Sequence, residues 1–205
     1  MNSNTEIKNP FDELPKIIKT ARLELRVLDI TNENASLFID AFRDENPKDY
    51  FFAAIAGGIS KNGVLPETVE EAYQMMKRDA EWTKRNGRTY YVFYNDKLVG
   101  LTRVYYLNDI DTLQIAQMFL HSKVWGKGFA KEIYKILDVI AFEKLHAHRI
   151  TVQCDTDNIG SKKSIETSGF HLDGISPDDY KYHSPYATKT YGNKMFWSKM
   201  EYNKK

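Results

Sequence analysis

The sequence predicts one α/β (α+β) domain, a mixed sheet with helices on its faces. Three observations lead there. The chain has 205 residues, long for one small domain and short for two. Its apolar spacing switches between alternation and helical period. From the middle of the chain the order is hairpin, strand, helix, strand, helix, strand, strand, which sets helices against a sheet. No internal repeat or linker breaks that order. Hydrophobic residues make up 42% and charged residues 28%, a balance that closes a core in water.

Taken in order, residues 1–19 are polar, carry Pro10 and Pro15 and lack an apolar signal core. They are expected to be a flexible lead-in to a domain over 20–202. Leu23, Leu25 and Val27 alternate with Arg22, Glu24 and Arg26, as in a half-buried strand. Asn34 to Arg43 places Leu37, Phe38, Ala41 and Phe42 at helical spacing. Asp44 to Pro66 reads as irregular, with glycines interrupting an apolar patch at Phe51, Phe52 and Ile55. Thr68 and Glu71 form a capping box that opens a helix running to about Arg85. Thr89–Tyr94 and Leu98–Tyr106 are β-branched and aromatic runs joined by Asn95-Asp96, a hairpin signal. Leu113–Leu120 is a further strand, and Lys127 to about Leu145 has helical period. Ile150, Val152 and Cys154 mark the next strand. A short helix, Ile159–Ser168, stops at Gly169. Strands near Phe170–Leu172 and Lys194–Tyr202 close the chain, with 173–191 between them as a long connection.

Composition excludes several functions. Formal net charge is +1, which gives no field for nucleic acid or an anionic membrane. Cys154 is the single cysteine, so no intramolecular disulfide forms and no thiolate zinc site is expected. His146 and His148 sit at a helix end and read as solvated residues, and no metal is expected. No stretch approaches the roughly 20 apolar residues that cross a bilayer. The expectation is a cytoplasmic protein, monomer or homodimer.

Two stretches carry chemistry. In Leu120–Glu132 a strand ends, Gly126 and Gly128 make a turn, and a helix opens with no capping side chain beside it. Its first N–H groups lack partners and the helix dipole favours an anion, so a pyrophosphate fits there. The alternative is a plain tight turn. The spacing matches neither a Walker loop nor the dinucleotide fingerprint. In the second stretch, Asn158 reads as a helix N-cap and Gly169-Phe170 as a helix stop.

Together these stretches resemble the GNAT superfamily of acyl-CoA-dependent N-acetyltransferases. Gly128 and Ala130 match its Arg/Gln-x-x-Gly-x-Gly/Ala motif. Trp125 departs from the first position, as in many members of the RimJ/RimL branch that acetylates ribosomal-protein N-termini. Asn158, Ser161, Gly169 and Phe170 are similar to that branch's Asn-x-x-Ser…Gly-Phe pattern, and Thr20–Arg26 to its first strand. The likeness runs from about Thr20 to Tyr202.

The resemblance implies a mostly antiparallel sheet, helices on both faces, splayed between the fourth and fifth strands, Leu113–Leu120 and Arg149–Cys154. It implies acetyl-CoA as co-substrate. Backbone N–H groups of Gly126, Lys127, Gly128, Phe129, Ala130 and Lys131 would hold the pyrophosphate. Met118, Phe119 and Leu120 would hold pantetheine and polarise the thioester carbonyl, with Asn158 beside the arm. Two family positions differ here. Ile165 stands where many relatives have a general-acid Tyr, and Ile115 where many have a Glu, with Gln114 and Gln117 nearby. Ser161 is the matching hydroxyl of the branch and the candidate catalytic residue; no base is evident. The 173–191 segment, with Tyr180, Tyr182, His183, Tyr186 and Tyr191, is one expected wall of the acceptor pocket, and Phe51–Ile59 the other. The implied acceptor is an amine, such as a ribosomal or other protein N-terminus. A small amine, or a non-catalytic acyl-CoA-binding module, remains open.

Overall fold

The computed structural model describes residues 8–43, 65–182 and 189–200. Eight strands form one sheet: β1 (Ile17–Lys19), β2 (Leu23–Arg26), β3 (Gly87–Tyr94), β4 (Lys97–Leu107), β5 (Thr112–Leu120), β6 (Arg149–Asp155), β7 (His171–Lys181) and β8 (Tyr191–Met200). Their order is β1-β2-β3-β4-β5-β6-β8-β7. Only β5 and β6 run parallel; the other neighbours are antiparallel. The helices are α1 (Asn32–Phe42), α2 (Val69–Thr83), α3 (Phe129–Asp138) and α4 (Ile159–Glu166).

Alternation along the strands divides the core between the two faces. Tyr90 and Val92 of β3 point to the layer that holds α3 and α4, with Ile133, Leu137 and Ile165. Tyr91 and Phe93 point to the layer under α1 and α2, with Phe38, Phe42, Met75 and Met76. The Thr68–Glu71 capping box opens α2 as expected.

One irregularity matters for the site. Arg103 of β4 pairs with Gln117 of β5, and the next residue, Val104, pairs with Ile115. Ala116 is the extra residue of a β-bulge. The bulge reverses the facing of the strand: Ile115 lies in the α3/α4 layer and Phe119 in the α1/α2 layer. Pairing with β6 stops at the same place, Ile115 with Val152. Beyond it the two strands part, and this is the expected splay.

Three expectations need correction. The lead-in is folded from residue 8 onward. Phe11 is fully buried, β1 pairs with β2, and Asn9 Nδ2 donates to the carbonyls of Thr83 and Gly87, both at 3.0 Å. A three-residue strand flanked by charges is too short to leave an alternation in sequence. The first half of the long connection at 173–191 is strand: β7 runs to Lys181 and pairs with β8. β7 is an edge strand with Leu172 and Ile175 exposed, so burial imposes no apolar pattern on it, and Pro177 sits in the register shift between Ser176 and Tyr180. Lastly, the long helix stops being α-helical at Asp138 and continues as a π segment, Val139–Lys144.

Candidate active site

The glycine turn is built by local bonds. After Leu120, His121 Nδ1 accepts the Lys123 N–H at 3.0 Å, capping a 3-10 turn over Ser122–Val124. The Trp125 N–H donates to Ser122 O at 3.0 Å and the Lys127 N–H to Val124 O at 3.4 Å. Gly126 and Gly128 then take φ values of 73° and 76°, a region that side chains strain to enter. Gly128 is the N-cap of α3 and offers no side chain. The helix's first bond is Glu132 N–H to Gly128 O at 3.2 Å. The N–H groups of Phe129, Ala130 and Lys131 precede it and stand at the open end of the helix. A Cβ placed on Gly126 would meet nothing within 4 Å, so the turn has room beside it for an anion. The Phe129 ring itself is buried, leaving its backbone as the part a ligand can reach.

A lock from the far strand holds this turn. Arg22, just before β2, donates Nη1 to Lys127 O at 2.9 Å and Nε to Glu132 Oε2 at 2.8 Å. Its backbone N–H donates to Glu132 Oε1 at 3.1 Å, where the Thr20 hydroxyl also bonds. Burial pushes the Glu132 carboxyl up, but these bonds outweigh it and the net direction is down.

The gap between β5 and β6 presents unspent backbone groups. The His121 N–H donates to Val99 O at 2.7 Å. Alternation therefore turns Phe119 and Gln117 toward β4, and Met118 and Leu120 toward the gap. Phe119, expected at the cofactor edge, instead faces β4 with its backbone and buries its ring under α1 and α2. The Trp125 indole donates Nε1 to Leu120 O at 2.7 Å. Met118 N–H and C=O and the Leu120 N–H are left along the gap. Across it, Asn158 Oδ1 accepts the Ser161 N–H at 3.0 Å and caps α4.

This geometry has a match among known proteins. The Acetyltransferase (GNAT) domain model covers residues 22–171, most of the chain and both stretches just described. The chain belongs to the GNAT acetyltransferase family. A Bacillus subtilis (strain 168) protein named "Probable N-acetyltransferase YjcK" is 30% identical over 89 residues, 42% of this chain. The match spans about half of that relative, 49% of its length. Among solved structures, the ribosomal-protein-S5-alanine acetyltransferase from Vibrio fischeri aligns with TM-score 0.70 at 16% identity, covering 92% of this chain and 98% of its own. The microcin C7 self-immunity acetyltransferase MccE, solved with acetyl-CoA and AMP, aligns with TM-score 0.73 at 15% identity, over 91% and 97%. At these identities the likeness is one of fold.

On the β6 arm of this GNAT domain, Ser161 lies in the first turn of α4 with its N–H held by Asn158 Oδ1. Burial pushes the nearby Cys154 thiol up to about 11, while Trp197 and Ser161 pull it back. Ile115 and Ile165 are both buried in the α3/α4 layer, so the departures at these positions are core aliphatics. Asp179 is paired with Lys194 at 3.0 Å and Asp178 is exposed. His146 and His148 are exposed as well. No group of three or more metal-ligating side chains gathers among the described residues.

Sequence reasoning missed Asp155. It is buried at the end of β6, and the hydroxyls of Tyr180 and Tyr182 both donate to its Oδ2. Its Oδ1 accepts the Asp157 N–H at 2.7 Å. Gly192 makes this possible: a Cβ there would lie 2.6 Å from both phenols. The Tyr-x-Tyr spacing was the available signal, since it puts both rings on one face of a strand. The proposed pocket wall at Phe51–Ile59, with His183 and Tyr186, lies outside the described residues.

Proposed function

We propose that this GNAT domain transfers an acetyl group from acetyl-CoA to the α-amine of a polypeptide N-terminus. The observation that carries the donor half is the parting of β5 and β6 at Ile115 and Val152, beside an uncapped helix start. Pantetheine lies in the gap as an extra strand against Met118 and Leu120. The pyrophosphate lies on the backbone N–H groups of Gly126 and Gly128 and of Phe129 to Lys131. Lys127 contributes its position in the turn, its own N–H being used within it. Asn158 shapes the β6 side of the arm. A gap-facing N–H on β5 is aimed where the thioester oxygen gains charge. Ser161 is the candidate donor to the departing thiolate.

The acceptor half rests on acid–base chemistry. Only a neutral amine attacks a thioester. An α-amine titrates near 7.7–8.0 and a lysine near 10.4, at about 1.36 kcal/mol per unit. Near pH 7.4, deprotonation costs roughly 4 kcal/mol for lysine and less than about 1 kcal/mol for an α-amine. Ile115 stands in place of a strand carboxylate, and the smaller deprotonation cost favours the α-amine whichever group takes the proton. Ribosomal-protein acetyltransferases stand among the structural neighbours, in agreement with this reading. A cytoplasmic location fits it too, and no described helix is long and apolar enough to cross a membrane. The test is one peptide with its N-terminus blocked and lysine open, against the same peptide with the blocks reversed. The α-amine form should be acetylated faster; faster acetylation of the lysine form overturns the assignment.

A further inference from the structure

The acceptor amine arrives largely protonated, and its proton needs a route out. Asp155 stands where such a route would begin. Continuing the parallel register past Ile115–Val152 sets Asp155 across the gap from the last residues of β5. Cys154 points into the α3/α4 layer, so Asp155 points to the opposite face of the sheet. Its Oδ2 receives both phenols. Tyr182 is buried, whereas Tyr180 is only half-buried. The Tyr180 oxygen, donating to the carboxylate, keeps lone pairs for an incoming N–H.

We propose that Tyr180 and Asp155 form a proton relay for the acceptor amine, with Tyr182 as the residue that positions them. This rests on acetyl transfer to an amine, not on which amine. An ammonium N–H proton passes to the Tyr180 oxygen as the Tyr180 proton passes to Asp155 Oδ2. The neutral nitrogen attacks the thioester carbon, and the C–S bond breaks with its electron pair on sulfur. The thiolate takes a proton from the Ser161 hydroxyl as that oxygen takes the second proton of the new amide nitrogen, and Asp155 releases its proton to water.

The surroundings suit this passage. Burial and the bond to Asp155 push the Tyr180 phenol up, so it stays neutral and passes one proton only as it takes another. Among the described residues, the two lysines that lie against these phenols are each paired with a carboxylate. Lys194 Nζ, 5.0 Å from the Tyr180 ring centre, is bound to Asp179 at 3.0 Å. Lys189 Nζ, 5.8 Å from the Tyr182 ring centre, is bound to Asp157 at 2.6 Å. Asp178 adds a carboxylate at the hairpin surface.

The experiment measures kcat and kcat/KM against pH for Tyr180→Phe, Tyr182→Phe and Asp155→Asn, using the amine the parent acetylates fastest. Calorimetry gives acetyl-CoA affinity alongside. Tyr180→Phe keeps the ring and its packing. It should lower kcat by about 10²-fold, the range for a positioned proton carrier, with acetyl-CoA affinity unchanged. Its kcat/KM should then rise with pH up to the pKa of the amine in solution, because only amine already neutral can react. Asp155→Asn should give the same profile, and Tyr182→Phe a smaller loss. A parental pH profile in Tyr180→Phe or in Asp155→Asn, whatever its rate, overturns the relay. So does a larger kcat loss in Tyr182→Phe than in Tyr180→Phe. Neither result touches the choice between α-amine and lysine, which the blocked peptides decide separately.

Discussion

At the scale of single residues, Gly128 carries two demands at once. Its φ of 76° favours glycine, and the face beside the turn must stay open for phosphate oxygens. Gly128→Glu should cost about 1–2 kcal/mol of stability from the left-handed backbone and leave the fold intact. It should abolish acetyl-CoA binding through bulk and like charge. Calorimetry checks this, and parental affinity would remove the turn from the cofactor site. Ser161 poses a different question, because it also belongs to the capped first turn of α4. If it also protonates the departing thiolate, Ser161→Ala lowers kcat by about 10²-fold with acetyl-CoA affinity unchanged. A variant with parental kcat and a lower melting temperature would reduce Ser161 to a structural residue of the helix start.

At the scale of elements, the β2–α3 junction decides whether the glycine turn keeps its shape. Thr20 and Arg22 converge on Glu132 and on Lys127 O, tying the start of the sheet to the first turn of α3. The Glu132 carboxyl is held below its ordinary value despite burial. A depressed folded pKa contributes stability that is present above the unfolded value, near 4.3. That contribution is lost as pH falls through the lower folded value. Arg22 is 45% exposed, so the contribution is modest, about 1 kcal/mol or less. Urea denaturation of the parent and Glu132→Gln should therefore differ by a constant amount from neutral pH down to about pH 5. The difference should shrink below about pH 4. A difference that grows on acidification would refute the lock.

At the scale of the whole molecule, the sheet is two halves joined by four parallel pairs, Thr112–Ile115 with Arg149–Val152. A ligand that fills the gap touches both halves and binds the folded chain alone. Acetyl-CoA at 100 times its Kd should add about 2.7 kcal/mol. That raises the melting temperature by roughly 5–10 °C for a chain of this size. Differential scanning calorimetry measures it, and an unchanged transition would mean that the gap holds no acyl-CoA.

Much of this was legible in the sequence because it depends on neighbours along the chain. The Thr68–Glu71 box, the glycine turn and the Asn158 cap each join residues within a few positions, so residue type and spacing specify them. The same is true of the strand interiors, where alternation between two layers repeats every second residue. The bulge at Ala116 has no such signature. It arises from how β5 meets β4 on one side and β6 on the other, and it sets both the reversal of Phe119 and the parting of the strands. The lock of Arg22 on Glu132 spans 110 positions, and Tyr180 reaches Asp155 across 25. The sequence by itself determined most of the element types, the glycine turn and the family resemblance. Only the tertiary structure decided the shape of the gap, the Arg22–Glu132 lock and the pairing of Tyr180 and Tyr182 with Asp155. Local spacing is written in the chain, whereas long-range contacts exist only once the sheet has brought distant segments together.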